Sequence, residues 1–308
     1  MKPILKLTDL FETVKTGDTP TVAVASGEDP DTIVAITRAV KENIVKAILV
    51  GDKKAIEKVI QEKGIDRTLF QVIHQADNVS AAEKAVRLVR EKQADMLMKG
   101  LAKTTTYMKA ILDKKEGLLP KGGLLSHIAV MEIPAYPKLI IVSDAAIIPE
   151  PNLDEKVKIL EYAIEVAHAL GIEIPKAALV SATETISFKV QSSVDAAVIT
   201  AMTQRKQIKG AIVDGPLALD VSLSKEHCKI KGLESPINGE SDILIFPNIE
   251  TANTFYKCAT LLAQGTAAAM VAGTTAPVVL TSRADSDETK FYSIVLAARI
   301  ATRRFFKS

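Results

Sequence analysis

A serine and an arginine follow an apolar run near position 280 of this 308-residue chain. The run, residues 276–281, carries β-branched side chains and is typical of a buried strand. Polar residues directly after such a strand lie at the carboxyl edge of a parallel sheet, where open α/β folds bind their ligands. There, Ser282 and Arg283 can donate hydrogen bonds to an oxyanion or a phosphate. Residues 282–286 are therefore interpreted as an anion-binding turn.

Short apolar runs alternate with amphipathic helical stretches along almost the whole chain. Helix starts are marked by Asp29 before Pro30, and by a capping box at Asn152 and Glu155 that opens a helix through Leu170. The alternation predicts parallel sheets with helical crossovers, which is the α/β class. Strand-like runs occur at residues 21–26, 47–51, 71–74, 95–99, 128–132, 139–143, 177–181, 211–214, 243–246, 270–272 and 278–281.

The composition and charge exclude several classes of function. The formal net charge is +2 with acidic and basic residues interspersed, so we expect no nucleic-acid partner. No run approaches the ~18 apolar residues of a membrane span, and the start of the chain has no signal-peptide core. The two cysteines, Cys228 and Cys258, form no CxxC pair and suit a reducing compartment. We therefore expect a cytoplasmic protein without a membrane partner.

Motifs for other chemistries are missing from the sequence. It contains no GxGxxG dinucleotide fingerprint, no GxxxxGK[ST] phosphate loop, no HExxH metal motif and no GxSxG nucleophile elbow. The four histidines lie far apart along the chain. The sequence therefore lacks a dinucleotide fingerprint, and the histidines could hold a metal only if the fold brought them together; the family resemblance described next implies neither a metal nor a nucleotide redox cofactor.

Several longer motifs occur in the order found in one known family, the phosphate acetyl/butyryltransferases. From residue 95 to residue 299 the chain resembles this family, and residues 278–286 with Lys290 and Ser293 resemble its butyryl-transferring branch. The motifs that carry the resemblance are residues 98–101, 124–127 and 215–220, Ser235-Pro236, Gly239, Asp242, Pro247, Glu250, Asn253 and Tyr256-Lys257.

The resemblance implies an acyltransferase that interconverts acyl-CoA and phosphate with acyl phosphate and CoA. Coenzyme A is then a substrate, no cofactor is needed, and the CoA thiolate attacks the acyl carbonyl directly. It also implies a homodimer of chains with two α/β domains, mainly parallel sheets and an interdomain cleft, similar to the isocitrate/isopropylmalate dehydrogenases. With a proline-rich boundary near residues 136–153, we expect a first domain of residues 1–146 plus 277–308. Residues 147–276 would form a second, dimerising domain.

The resemblance also assigns roles to individual residues. Arg283 would bind the phosphoryl group, and Ser282 would donate to the same intermediate. Asp285 is the preferred general base, with Asp287 and Glu288 as alternatives, although any of these acids could instead stabilise a helix N-terminus. The expected substrate-binding residues are Lys99, Lys109, Ser126, His127, Asn253 and Lys257.

Three positions depart from the family pattern. Lys109 and Ala252 stand where the family usually has arginine and glycine, and Thr289 stands where the acetyl branch has a carboxylate. These departures leave a non-catalytic or altered-substrate paralogue as an alternative. A metal- and NAD-dependent hydroxyacid dehydrogenase of the same fold is a second alternative.

Overall fold

Strands and helices alternate along the protein, whose computed structural model describes residues 2–281 and 285–303. The strands are β1 (Thr21–Ala25), β2 (Lys46–Gly51), β3 (Phe70–His74), β4 (Met96–Lys99), β5 (Ser126–Glu132), β6 (Ile140–Ser143), β7 (Lys176–Val180), β8 (Ile212–Leu217), β9 (Ile243–Ile245), β10 (Thr266–Ala272) and β11 (Val278–Val279). The helices are α1 (Leu7–Lys15), α2 (Pro30–Lys41), α3 (Lys53–Glu62), α4 (Asn78–Arg90), α5 (Thr104–Ile111), α6 (Leu153–Ala169), α7 (Gln191–Gln204), α8 (Leu219–Leu223), α9 (Lys225–Lys231), α10 (Ile249–Leu261) and α11 (Asp287–Arg303), and a short 3-10 helix spans Arg67–Leu69.

The chain divides into two compact units. Unit 1 comprises the residues up to Leu7 together with residues 126–266. Unit 2 comprises residues 8–125 together with the described residues after 266. The chain passes from one unit to the other after residues 7, 125 and 266. The domain bounds expected at residues 146 and 276 stay a prediction. The dimerisation role expected for residues 147–276 stays a prediction.

Unit 2 is built on strands in the order β3-β2-β1-β4-β11-β10. The first five are parallel, and β10 runs antiparallel to β11. Residues 22–25 of β1 are 0% exposed, as expected for a central strand that is covered on both faces. The carboxyl ends of the five parallel strands form one edge, called here the unit 2 edge.

Unit 1 is built on strands in the order β5-β6-β9-β7-β8. The last four are parallel, and β5 runs antiparallel to β6. The first residue of β5 and the last residue of β6 therefore lie at the same edge. The predicted capping box at the start of α6 is confirmed, since the Glu155 amide donates to Asn152 Oδ1 at 3.0 Å and the Asn152 amide donates to Glu155 Oε2 at 2.8 Å. The predicted α/β class with mainly parallel sheets is confirmed in each unit.

Candidate functional site

The end of β11 lies at the unit 2 edge beside the end of β4. The two strands are parallel, with Val278 opposite Leu97 and Val279 opposite Met98. The residues that follow them, Thr281 and Lys99, are both 6% exposed. Ser282 and Arg283 lie outside the described residues, so their predicted roles stay predictions. The register shows only that the end of β11 lies beside the strand end that carries Lys99.

Lys99 is a buried cation at this edge. Its ammonium donates to the carbonyl oxygens of Gly100 at 3.1 Å and Ala102 at 3.4 Å. Lysine is rarely buried unless its charge is compensated. A buried ammonium at a strand end can attract a phosphate.

The end of β1 packs against the end of β4 through Gly100. A Cβ at Gly100 would lie 2.2 Å from the carbonyl oxygen of Ser26, which is backbone and cannot move aside cheaply. Ser26 itself has φ 54° and is 0% exposed, and its hydroxyl has no hydrogen-bond partner among the described residues. Residues 26–28 therefore belong to the unit 2 edge, although the sequence motifs did not single them out. They follow an apolar strand just as Ser282 does, so the same rule could have found them.

Glu28 places a poorly solvated carboxyl beside the end of β2. Its Oε2 is buried, accepts no hydrogen bond from the described residues, and fills the space where a Cβ on Gly51 would lie 2.1 Å away. Burial raises the pKa of Glu28, and the nearby carboxylates of Asp52 and Asp29 raise that pKa further. The ionised form is therefore unfavourable in the folded protein.

Glu28→Gln tests this electrostatic cost. A carboxyl with a raised folded-state pKa destabilises the fold at neutral pH, and the cost disappears as pH falls through that pKa toward the ordinary value of 4.5. We expect the variant to be more stable than the wild type at about pH 7, by a small margin because water screens this half-buried carboxyl, and we expect the difference to shrink toward about pH 4.5. Urea unfolding followed by circular dichroism measures it, and equal pH slopes in the two proteins would contradict the prediction.

The acids after Arg283 have different surroundings at the start of α11. Glu288 is paired with Arg38 of α2 at 2.7 Å, so it contributes to the packing of two helices. Asp287 is exposed in the first turn of α11, and Asp285 is half-buried just before that helix. Thr289 is 6% exposed, and its amide donates to Ser286 Oγ at 3.2 Å, which caps the helix. Asp285 and Asp287 therefore remain the candidates for a base, and their assignment stays a prediction.

Lys109 lies more than one turn beyond the start of α5. It lines a groove between α4 and α5 with a volume of about 390 Å³. The groove also holds one other cation, Arg87, and the acids Glu83, Asp113 and Glu116. Lys109 is thus exposed in a mixed-charge groove, and its predicted substrate contact stays a prediction.

Ser126 and His127 lie at the edge of unit 1 formed by the start of β5 and the end of β6. The Ser126 and Ser143 hydroxyl oxygens are 3.0 Å apart, and Ser143 Oγ donates to the His127 carbonyl at 2.8 Å. Since Ser143 uses its proton on that carbonyl, Ser126 must donate to Ser143. The Ser126 hydroxyl is fully buried and its proton is already used, which favours a structural role.

Asp144 organises the loop after β6. It is 3% exposed, and its carboxylate accepts the amides of His127 at 3.0 Å, Ala146 at 2.9 Å and Ile147 at 2.8 Å. The carboxylate thus holds the β6 loop against the start of β5, which positions the His127 backbone.

Helix α10 contributes Asn253 and Lys257 to unit 1. Asn253 Nδ2 donates to the Ala145 carbonyl at 2.9 Å, so it ties the helix to the loop after β6. Lys257 is exposed one turn later, which places it on the same helical face. Between them, the Tyr256 ring meets the His127 ring edge-on at 6.4 Å. His127 and Asn253 thus both contact the loop after β6, while Tyr256, named in the sequence only as part of a motif, packs against His127.

Ala252 also lies in α10 and is 0% exposed. A position inside a helix does not need the left-handed backbone that favours glycine. The methyl group of Ala252 is therefore compatible with the local backbone.

The described residues were also searched for a metal site and for a membrane span. Across residues 2–281 and 285–303, no three side chains of His, Cys, Asp or Glu come together in a way that could hold a metal ion. In the same residues, no helix is both long and apolar enough to cross a membrane.

Comparison with known proteins identifies close relatives. A family model described as "Phosphate acetyl/butaryl transferase" matches residues 6–85 and 74–298. The "Phosphate butyryltransferase" of Clostridium acetobutylicum is 43% identical over 298 residues, which cover 97% of this chain and 99% of that protein. The "Phosphate acetyltransferase" of Thermotoga maritima is 42% identical over 280 residues, which cover 91% of this chain and 95% of that protein.

Solved structures of other proteins have a similar fold. A branched-chain phosphotransacylase from Enterococcus faecalis matches with a TM-score of 0.82 and 36% identity, over 92% of this chain and 99% of that chain. A putative 4-hydroxythreonine-4-phosphate dehydrogenase from Salmonella typhimurium matches with a TM-score of 0.56 and 12% identity, over 92% of this chain and 100% of that chain. The second likeness concerns the fold alone, and it agrees with the expected dehydrogenase-like architecture.

Proposed function

The chain belongs to the phosphate acetyl/butyryltransferase family and is a phosphate acyltransferase, and we propose that it exchanges the CoA group of a short-chain acyl-CoA for phosphate. The observation that carries the acyl preference is the 43% identity to a phosphate butyryltransferase over almost the full length of both chains. The branched-chain phosphotransacylase match adds branched acyl groups to the range. Butyryl-CoA and isobutyryl-CoA are therefore the proposed substrates.

The proposed reaction is a direct acyl transfer. In one direction a phosphate oxygen attacks the thioester carbonyl carbon, the C–S bond breaks and CoA leaves as a thiolate that then takes up a proton. In the other direction the CoA thiolate attacks the acyl phosphate carbonyl, and the C–O bond to phosphate breaks. Both directions pass through a tetrahedral oxyanion, which is stabilised by hydrogen-bond donors placed in advance.

We assign the phosphoryl group and the oxyanion to the unit 2 edge. Arg283 offers a planar pair of donors to phosphate, and Ser282 offers a hydroxyl. The buried ammonium of Lys99 lies at the neighbouring strand end and adds positive charge. Asp285 or Asp287 would accept the thiol proton, because the thiolate is the reactive nucleophile.

The exposed lysines suit the other end of coenzyme A. Lys109 and Lys257 are exposed cations, and either one could contact a CoA phosphate as a point charge. Asn253 positions the loop beside His127 rather than the substrate. We further propose that the enzyme needs no cofactor and is cytoplasmic. We also propose that it is a homodimer, and light scattering of the purified protein would test this by measuring its mass in solution.

A single assay series tests the proposed function. Butyryl-CoA with inorganic phosphate should release free CoA and form an acyl phosphate, and EDTA should leave the rate unchanged. Isobutyryl-CoA and acetyl-CoA define the acyl preference. If none of the three thioesters releases free CoA, the result would favour a non-catalytic paralogue. Turnover of a hydroxyacid that needs a metal and NAD would instead favour a dehydrogenase.

A further inference from the structure

The turn that follows β1 holds the segment that carries Lys99. The amides of residues 100 and 101 donate to the carbonyls of residues 25 and 26, both at 2.8 Å. Two carbonyls of residues 100–102 in turn accept from the Lys99 ammonium, at 3.1 and 3.4 Å. The position of this ammonium therefore depends on the turn of residues 26–28, called here the β1 turn.

The β1 turn contains groups that are unfavourable without support from their neighbours. Ser26 has φ 54°, in the left-handed region that residues other than glycine rarely adopt. Ser26 Oγ and Glu28 Oε2 are both buried, and neither atom has a hydrogen-bond partner among the described residues. Such atoms lose their contacts with water without replacing them. The turn therefore stays closed only while the surrounding structure holds it.

The carboxyl group of Glu28 is part of that support. A Cβ on Gly51 would lie 2.1 Å from Glu28 Oε2 and 3.1 Å from the Gly27 amide nitrogen, so the carboxyl and the turn backbone both pack on the end of β2. Without the carboxyl, the atoms around this space would lose their van der Waals contacts with it. The position of the Glu28 side chain is thus coupled to the closed form of the β1 turn.

The surroundings of Glu28 favour its neutral form. Burial raises the pKa of Glu28, its own backbone amide opposes the shift, and the carboxylates of Asp52 and Asp29 raise the pKa further. The surrounding elements carry these other charged or titratable groups: Asp31 at the start of α2, Lys53 and Lys54 at the start of α3, His74 at the end of β3 and Lys99 at the end of β4. All of these except Lys99 are exposed, so water screens their effect.

We propose that the β1 turn is a proton-sensitive latch on the segment that carries Lys99. With Glu28 neutral, the carboxyl stays beside Gly51 and the turn is closed. When Glu28 loses its proton, the carboxylate moves into water and the turn releases the amides of residues 100 and 101. The effect on activity rests on the proposed function: if Lys99 attracts phosphate, the open form binds phosphate more weakly.

The direction of the pH dependence follows from proton binding. The closed form binds the Glu28 proton more tightly than the open form, because burial disfavours the carboxylate. The closed form is therefore favoured at low pH. It is lost as pH rises from the ordinary value of 4.5 through the raised pKa of the closed form, and the loss levels off above that pKa.

Hydrogen exchange of the Gly100 and Leu101 amides tests the latch without an activity assay. In the wild type their protection, corrected for the intrinsic pH dependence of exchange, should fall at least about threefold between about pH 4.5 and about pH 8. Glu28→Gln replaces the carboxyl with a neutral group of similar shape, so the protection should stay constant over the same range.

Glu165→Gln is the matched control. Glu165 also has a buried Oε2 without a hydrogen-bond partner among the described residues and a pKa raised by burial, but it lies in α6 of unit 1. Its substitution should leave the exchange of residues 100 and 101 as in the wild type.

The KM for phosphate measures the consequence for activity. The ratio of the wild-type phosphate KM to that of Glu28→Gln should be near one at about pH 5 and should rise at least about twofold by about pH 8. Taking the ratio cancels the titration of phosphate itself. The corresponding ratio for butyryl-CoA should stay constant.

The outcomes separate the latch from the proposed function. Protection that does not change with pH in the wild type, or that changes equally in Glu28→Gln, would overturn the latch. Pronounced pH dependence of exchange with a constant ratio of phosphate KM values would overturn its effect on phosphate binding. A wild type without phosphate-dependent CoA release would overturn the proposed function, and hydrogen exchange would still decide on the latch. If Glu28→Gln fails to unfold cooperatively, Glu28→Met takes its place in the same comparison.

Discussion

Arg283→Ala is expected to lower kcat/KM for phosphate-dependent CoA release by about 100-fold or more, while the variant stays folded. The reason is the loss of the bidentate donor that we propose for the phosphoryl group. Initial rates with butyryl-CoA, together with a thermal unfolding curve, measure both effects.

Two further variants sharpen the Arg283 experiment. Arg283→Lys keeps the charge but loses the planar fork, so its kcat/KM should fall between those of Arg283→Ala and the wild type. Arg90→Ala is the matched control, because Arg90 pairs with Glu116 at 2.5 Å in the same unit and its side chain is 43% exposed. Its activity should stay within about threefold of wild type. Near-normal turnover in folded Arg283→Ala would assign the phosphoryl group to another cation, with Lys99 as the next candidate.

The fold class could be predicted because local signals agree with the tertiary structure. The apolar run of β1 is buried throughout, and the capping box at Asn152 starts α6 where the sequence placed it. The predicted family is confirmed by the family model and by relatives that match almost the full length. Strand direction was harder to predict, since an apolar run carries no sign of whether its neighbour is parallel. β5 and β10 each run antiparallel to the next strand along the chain, with no helix between the two strands. A missing crossover helix is the sequence signal that could have predicted these antiparallel pairs.

The bounds of the strands were also hard to predict from the sequence. β11 comprises only Val278–Val279, although the apolar run continues to Thr281. β10 begins at Thr266, earlier than the run at residues 270–272 predicted. Its first half is mostly alanine, which has low intrinsic strand preference and is held in the strand by its buried neighbours.

The candidate site was predictable where a residue directly follows a strand. Lys99 satisfies that rule, and the parallel pairing of β4 with β11 gives it a physical basis. Ser26 and Glu28 satisfy the same rule after β1 but carry no family motif, so they were missed. Lys290 was recognised only as part of a motif, because its burial against α2 depends on tertiary packing. The sequence pattern predicted that Lys109 lies in a helix, but it did not predict the groove that Lys109 lines.

Asp195→Ala is expected to destabilise the protein by about 3–5 kcal/mol, the largest stability effect that we predict. Asp195 of α7 accepts from the Lys156 ammonium at 2.6 Å, and both side chains are 10% exposed. Its other oxygen accepts from Gln191 Nε2 at 2.8 Å. Removing the carboxylate leaves a buried ammonium without its counter-charge, lined by apolar residues such as Leu179 and Ile199. Urea unfolding followed by circular dichroism measures the loss.

The double variant Lys156→Met with Asp195→Leu decides between a charge effect and a packing effect. If the cost of Asp195→Ala comes from the stranded ammonium, the double variant should recover most of the lost stability, because apolar residues often replace a buried ion pair without loss. Glu42→Ala is the matched surface control: Glu42 pairs with Lys15 at 2.7 Å, the side chains are 40% and 41% exposed, and solvent screening should make the loss of stability much smaller than that of Asp195→Ala. A double variant as unstable as Asp195→Ala would show that the shape of the two side chains, rather than their charges, holds α6 and α7 together.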